Sequence, residues 1–144
     1  NKYIFLAYTG IGLIYMNQGD YDKAEYFFEK AIHQIDNHTI ESIEDVCRVL
    51  TVLYYGGTFY AKIKEYDTSD VLLRRGITIC SENHVTYYLA RIKYLQAENA
   101  YVNDASSEEV KELMRDAAAF ARVNKNTVLL EKIKVFKELV AKGE

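Results

Sequence analysis

At 144 residues the chain is long enough for one domain with a sizeable core, since roughly 70% of the unfolded surface can be buried at that length. An apolar fraction of 49% and a charged fraction of 27% are those of an ordinary soluble domain, and no apolar run approaches the ~18 residues of a membrane span. A net charge of -3 offers no attraction to phosphates and argues against a nucleic-acid surface on this segment.

The pattern is helical throughout. Proline is absent, so chain reversals fall to Gly, Asn, Asp and Ser clusters. Apolar periodicity predicts seven helices near 2–17, 21–36, 41–63, 67–81, 84–102, 107–123 and 126–142. Asp20 is expected to cap the second, Asp67 or Thr68 the fourth, and Ser106 with Glu109 the sixth as a capping box. The chain opens at Asn1 inside an amphipathic pattern, from which we expect a piece of a longer protein.

Along the first pair, Tyr8, Ile11, Gly12 and Tyr15 are followed by Gly19, Tyr21, Ala24, Phe28 and Ala31. This resembles the tetratricopeptide repeat, a ~34-residue helical hairpin with small residues where its helices touch and rings around them. A shift of 45 carries Gly12 onto Gly57, Tyr15 onto Tyr60, Tyr21 onto Tyr66, Phe28 onto Leu73 and Ala31 onto Gly76, with Ser69 in the slot of Ala24. Because that shift exceeds the ~34-residue period, helices longer than the norm are expected. A degenerate third copy places Tyr94, Ala97, Glu98 and Tyr101 on one helix and Val110, Met114 and Ala117 on the next, with Glu98 in the glycine slot. Leu129, Ile133, Phe136 and Val140 then form a closing helix. The expected architecture is a single all-α domain over residues 1–144, a tetratricopeptide-like right-handed superhelix of about three helix pairs with a C-terminal capping helix.

Residues that could carry chemistry are few. His33, His38 and His84 lack the i,i+4 spacing of a metal site and are read as solvent-facing or capping side chains. Cys47 and Cys80 make no CxxC pair and are read as small apolar filler in a reducing cytoplasm. Glu41, Glu44 and Asp45 are read as favourable charge at a helix N-terminus, and Arg74 and Arg75 as a solvated face. No nucleophile elbow or phosphate loop is present, so we expect no enzyme, no cofactor and no metal.

What remains is the concave face of such an array. Its fitted positions are Thr9, Leu13 and Met16 in the first copy, Tyr54, Tyr55, Thr58 and Lys62 in the second, and Arg91, Leu95, Gln96 and Asn99 in the third. Aromatic and aliphatic patches mixed with amides, hydroxyls and a few cations suit a short peptide. The repeats, together with Glu65, Tyr66, Leu73, Gly76, Ile77, Ile79 and Cys80, are similar to the C-terminal half of the PlcR/Rgg-type peptide pheromone receptors of Gram-positive bacteria. That resemblance implies a cytoplasmic sensor domain that binds a short signalling peptide, forms a homodimer, and reaches DNA only through a separate N-terminal domain. Two alternatives stand beside it: the tetratricopeptide module of a response-regulator phosphatase or inhibitor, and a generic protein-interaction scaffold. A carboxylate clamp of the chaperone type is disfavoured, because Thr9 and Leu13 occupy its lysine and asparagine slots.

Overall fold

Capping chemistry fixes where the helices start. In the computed structural model, which describes residues 1–143, Asp20, Ser42, Ser106 and Asn126 each accept a hydrogen bond from the backbone N–H three residues on, at 3.3, 3.1, 3.2 and 3.1 Å. The elements are α1 (Ile4–Asn17), α2 (Tyr21–Asp36), α3 (Ile43–Lys62), α4 (Tyr66–Asn83), α5 (Tyr87–Val102), α6 (Ser107–Val123) and α7 (Thr127–Lys142). Among the described residues there is no strand, so the all-α class and the seven expected helices are observed. One cap differs. Ser69 N–H already donates to the Glu65 carbonyl and α4 starts at Tyr66, so Asp67 and Thr68 lie inside its first turn and do not precede it.

The helices stop in a shared way. Gly19, Lys64, His84, Asp104 and Lys125 all have positive φ, between 55° and 80°. In each case the next residue's N–H returns to a carbonyl one turn back: Asp20 to Tyr15, Glu65 to Tyr60, Val85 to Cys80, Ala105 to Ala100 and Asn126 to Ala121. This is the left-handed Schellman stop that satisfies the last helical carbonyls. Only the first of the five uses glycine, so the other four carry a steric cost.

The chain forms two compact units, residues 1–79 and residues 80 onward, with α4 passing from one into the other. In the first, α1 and α2 close on each other where Gly12 faces Phe28: a Cβ on Gly12 would lie 2.9 Å from the Phe28 ring. Phe28 also stacks on Phe59 of α3, with centroids 4.9 Å apart. The second copy repeats the seat, since a Cβ on Gly57 would lie 2.7 Å from Leu73. Ser69 holds the same join by donating its buried hydroxyl to the Gly57 carbonyl at 2.7 Å. In the second unit α5 packs on α6 and α6 on α7, around Ala90, Ala97, Met114, Ala117, Ile133 and Phe136. Glu98, assigned the glycine slot by the third copy, is half-buried, while Ala97 is fully buried in that cluster.

Two outcomes follow for chemical denaturation. Gly57→Leu overpacks the α3–α4 join and lowers stability by about 1 to 3 kcal/mol; an unchanged denaturation midpoint would contradict the seat. Lys125→Gly relieves a left-handed stop and raises stability by roughly 0.5 to 1 kcal/mol, whereas a loss would show that the Lys125 side chain has another role.

Candidate functional site

The eleven residues expected to face a peptide divide between the units: those of α1 and α3 lie in the first and those of α5 in the second. Thr9 is buried and its hydroxyl donates to the Phe5 carbonyl at 2.8 Å, and Met16 belongs to the first unit's core. Leu13 is half-buried against the same core. On α3, Tyr54 and Tyr55 are half-buried with rings edge to face at 5.1 Å, the Thr58 hydroxyl donates to the Tyr54 carbonyl, and Lys62 is exposed. On α5, Arg91 donates to the Tyr87 hydroxyl at 2.9 Å and lies over that ring, 4.9 Å from its centroid. Leu95 and Gln96 are half-buried, the Gln96 Oε1 is buried without a hydrogen-bond partner, and Asn99 is buried.

The linker between α2 and α3 departs from its expectation. His38 and Asp45, read from sequence as a solvent-facing or capping histidine and a dipole-favoured carboxylate, have side chains only 7% and 0% exposed. His38 Nε2 lies 3.2 Å from Asp45 Oδ2, at ion-pair distance but off hydrogen-bond alignment. Asp45 also accepts from the Glu41 N–H and the Arg48 guanidinium, each at 3.1 Å. Arg48 covers the Tyr3 ring at 4.3 Å, and Phe5 meets the His38 ring edge to face at 5.2 Å. Burial alone would push the Asp45 carboxyl up; the Glu41 N–H, Arg48 and His38 outweigh it and hold the group below the ordinary aspartate range. The cluster clamps the long linker onto α1 and α3. The Asp45 carboxylate is satisfied from within the cluster, by the Glu41 N–H and the Arg48 guanidinium, which marks its role as structural.

An open hollow of about 630 Å³ lies in the second unit, between Tyr94 of α5 and the face of α7 that carries Thr127, Val128, Glu131, Lys132, Val135 and Leu139. Its floor is the Phe136 ring, edge to face with Tyr94 at 5.8 Å and with Tyr101 at 5.6 Å. Val128, Val135 and Leu139 are 69%, 58% and 53% exposed, and their spacing forms a second apolar stripe beside the buried Leu129, Ile133, Phe136 and Val140. Lys132 on the rim draws down the Glu98 carboxyl, which burial pushes up more strongly. From sequence, α7 is expected to cap the array and, with the other C-terminal helices, to serve in dimerisation. The signal for the trough is the spacing 128, 132, 135, 139, one position off the core stripe. Among the described residues no His, Cys, Asp or Glu group is arranged to hold a metal ion, and no helix is long and apolar enough to cross a membrane.

Residues 5–38 match the family model for the tetratricopeptide repeat. Comparison with curated proteins and with solved structures gives no match. The match falls on α1 and α2, where Gly12 meets Phe28, and a repeat of this kind is a scaffold for protein–protein interaction.

The linker clamp has a defined pH signature. The folded pKa of Asp45 is depressed, so its contribution is complete above the unfolded value of roughly 3.9 and is lost as pH falls through the folded value. In denaturation across pH, Asp45→Asn should therefore be less stable than wild type at neutral pH, with the gap closing only below about pH 4. A gap independent of pH down to full acid unfolding would refute the charged clamp.

Proposed function

We propose that the chain is a protein-interaction module that seats a short peptide in the α5–α7 trough of its second unit. The observation that carries this reading is the exposed row of Val128, Val135 and Leu139 beside the edge-to-face rings of Phe136 and Tyr94. Apolar side chains standing in water along one helix face cost free energy that a guest's side chains recover on burial. Thr127, Glu131 and Lys132 at the rim supply the polar partners that orient a peptide backbone. The tetratricopeptide match supports interaction over catalysis.

The residues fitted from sequence are proposed contacts within each unit by itself, apart from the trough. Leu13, Tyr54, Tyr55, Thr58 and Lys62 are accessible or half-accessible in the first unit and Arg91, Leu95 and Gln96 in the second, Thr9, Met16 and Asn99 are buried, and none of the eleven is among the residues that line the trough. The narrower reading, a sensor and dimerisation domain of a peptide-responsive transcriptional regulator acting on DNA through another domain, is carried by the resemblance to PlcR/Rgg-type receptors. The repeat match supports the broader scaffold reading more directly.

The test is to select peptides from a random display library on the whole chain and measure them by calorimetry. Val135→Asp and Leu139→Asp should each weaken selected peptides at least tenfold, about 1.4 kcal/mol, while unfolding stability stays within about 0.5 kcal/mol because both positions are exposed. Peptides that bind wild type and both variants equally would place the guest elsewhere.

A further inference from the structure

The first unit carries an apolar surface that the trough does not use. From Ile4 to Asn17, α1 has no charged residue, and the side it buries is that of Phe5, Thr9, Gly12 and Met16. The helical period sets Ala7, Tyr8, Ile11, Ile14 and Tyr15 on an adjoining side, where Ile14 is 57% exposed. A helix apolar all round is ordinarily one that is covered all round.

α2 extends this face and sets two lysines over its rings. Phe27 stacks on Tyr15 at 5.8 Å and meets Tyr26 at 5.1 Å, and Tyr26 is 55% exposed. Lys23 Nζ sits 5.4 Å from the Tyr15 ring centre, and Lys30 Nζ sits 5.5 Å from Tyr8 and 5.1 Å from Tyr26. Of the four carboxylates of α2, Asp22 is exposed in the first turn beside Lys23, and the other three act on neighbouring helices. Glu25 and Glu29 act on Tyr60 of α3, and Asp36 pairs with Arg75 of α4 at 2.6 Å. At the edge, Asp20 lies 3.6 Å from Lys23. The result is a ring-lined apolar face rimmed by the two lysines of α2, seven residues or about 10 Å apart along the axis.

From this arrangement we infer that the α1–α2 face docks an amphipathic helix of another polypeptide, apolar along one stripe and bearing carboxylates seven residues apart on its flank. The stripe covers Ile14, Tyr26 and Phe27, and the carboxylates meet Lys23 and Lys30 over the aromatic rings. Such contacts are strengthened as the rings exclude water from the ammonium groups.

The probe is a dye-labelled synthetic helix of about 18 residues, long enough to hold helix, with a leucine stripe and Glu at two flank positions seven apart. Its control carries Lys at those two positions. Fluorescence anisotropy against the full chain should show the Glu peptide binding at least tenfold tighter than the Lys peptide. Lys23→Glu with Lys30→Glu should invert that order while far-UV dichroism stays helical, and Lys30→Glu alone should narrow it. Val135→Asp, on the α5–α7 trough, should leave the order unchanged, which separates this face from the proposed peptide site. Equal binding of the two peptides, a preference that survives charge reversal, or one abolished by Val135→Asp would overturn the inference. So would a dimer seen in sedimentation and broken by the double reversal, since that assigns the face to a second copy.

Discussion

Two helices can come close enough to share a core only where one of them withholds its side chain and the other fills the gap. In the first unit that condition is met twice by the same pairing, Gly12 under Phe28 and Gly57 under Leu73, and Ser69 ties the second join through the Gly57 carbonyl. Everything else in that unit is arranged around these seats. Phe28 reaches Phe59 because Gly12 lets α2 approach, and the Phe28–Phe59 stack in turn places α3 against the first hairpin. The second unit reaches a comparable closeness with alanine on both sides, Ala90 and Ala97 on α5 and Ala117, Ala118 and Ala121 on α6.

Seats of this kind leave specific side chains unspent. α1 and α7 each bury a single stripe of four residues, so their remaining apolar residues are surplus to folding and available for recognition. On α7 the surplus is Val128, Val135 and Leu139; on α1 and α2 it is Ile14, Tyr26 and the rings under Lys23 and Lys30. The stops between helices repeat one backbone geometry, and four of the five adopt it with residues that resist it. The packing on either side therefore has to hold them.

Much of this was legible in the amino-acid order, and the reasons are local. A seat demands a residue of particular size, so Gly12, Ala24 and Phe28, and their counterparts Gly57, Ser69 and Leu73, announce the register of two copies. Gly57 lies inside α3, as that register requires. The third copy was fitted with Glu98 in the seat because alanine is also the commonest helix former, so Ala90 and Ala97 carry no register signal. The left-handed stops at Lys64, His84, Asp104 and Lys125 were hidden for want of glycine. The Asp45 clamp was hidden because its partners Arg48 and His38 are held against Tyr3 and Phe5, far away along the chain. The trough on α7 was masked by its neighbour, since a stripe one position from the core stripe reads as the same broad face.

The central claim is that Gly12 is required by the Phe28 ring and not by helix conformation. A double-mutant cycle of Gly12→Ala and Phe28→Leu, followed by chemical denaturation, separates these two causes. Alanine should be destabilising beneath the ring and tolerated beneath leucine, with a coupling of at least about 1 kcal/mol. Additive effects, or a Gly12→Ala protein as stable as wild type with Phe28 in place, would contradict it.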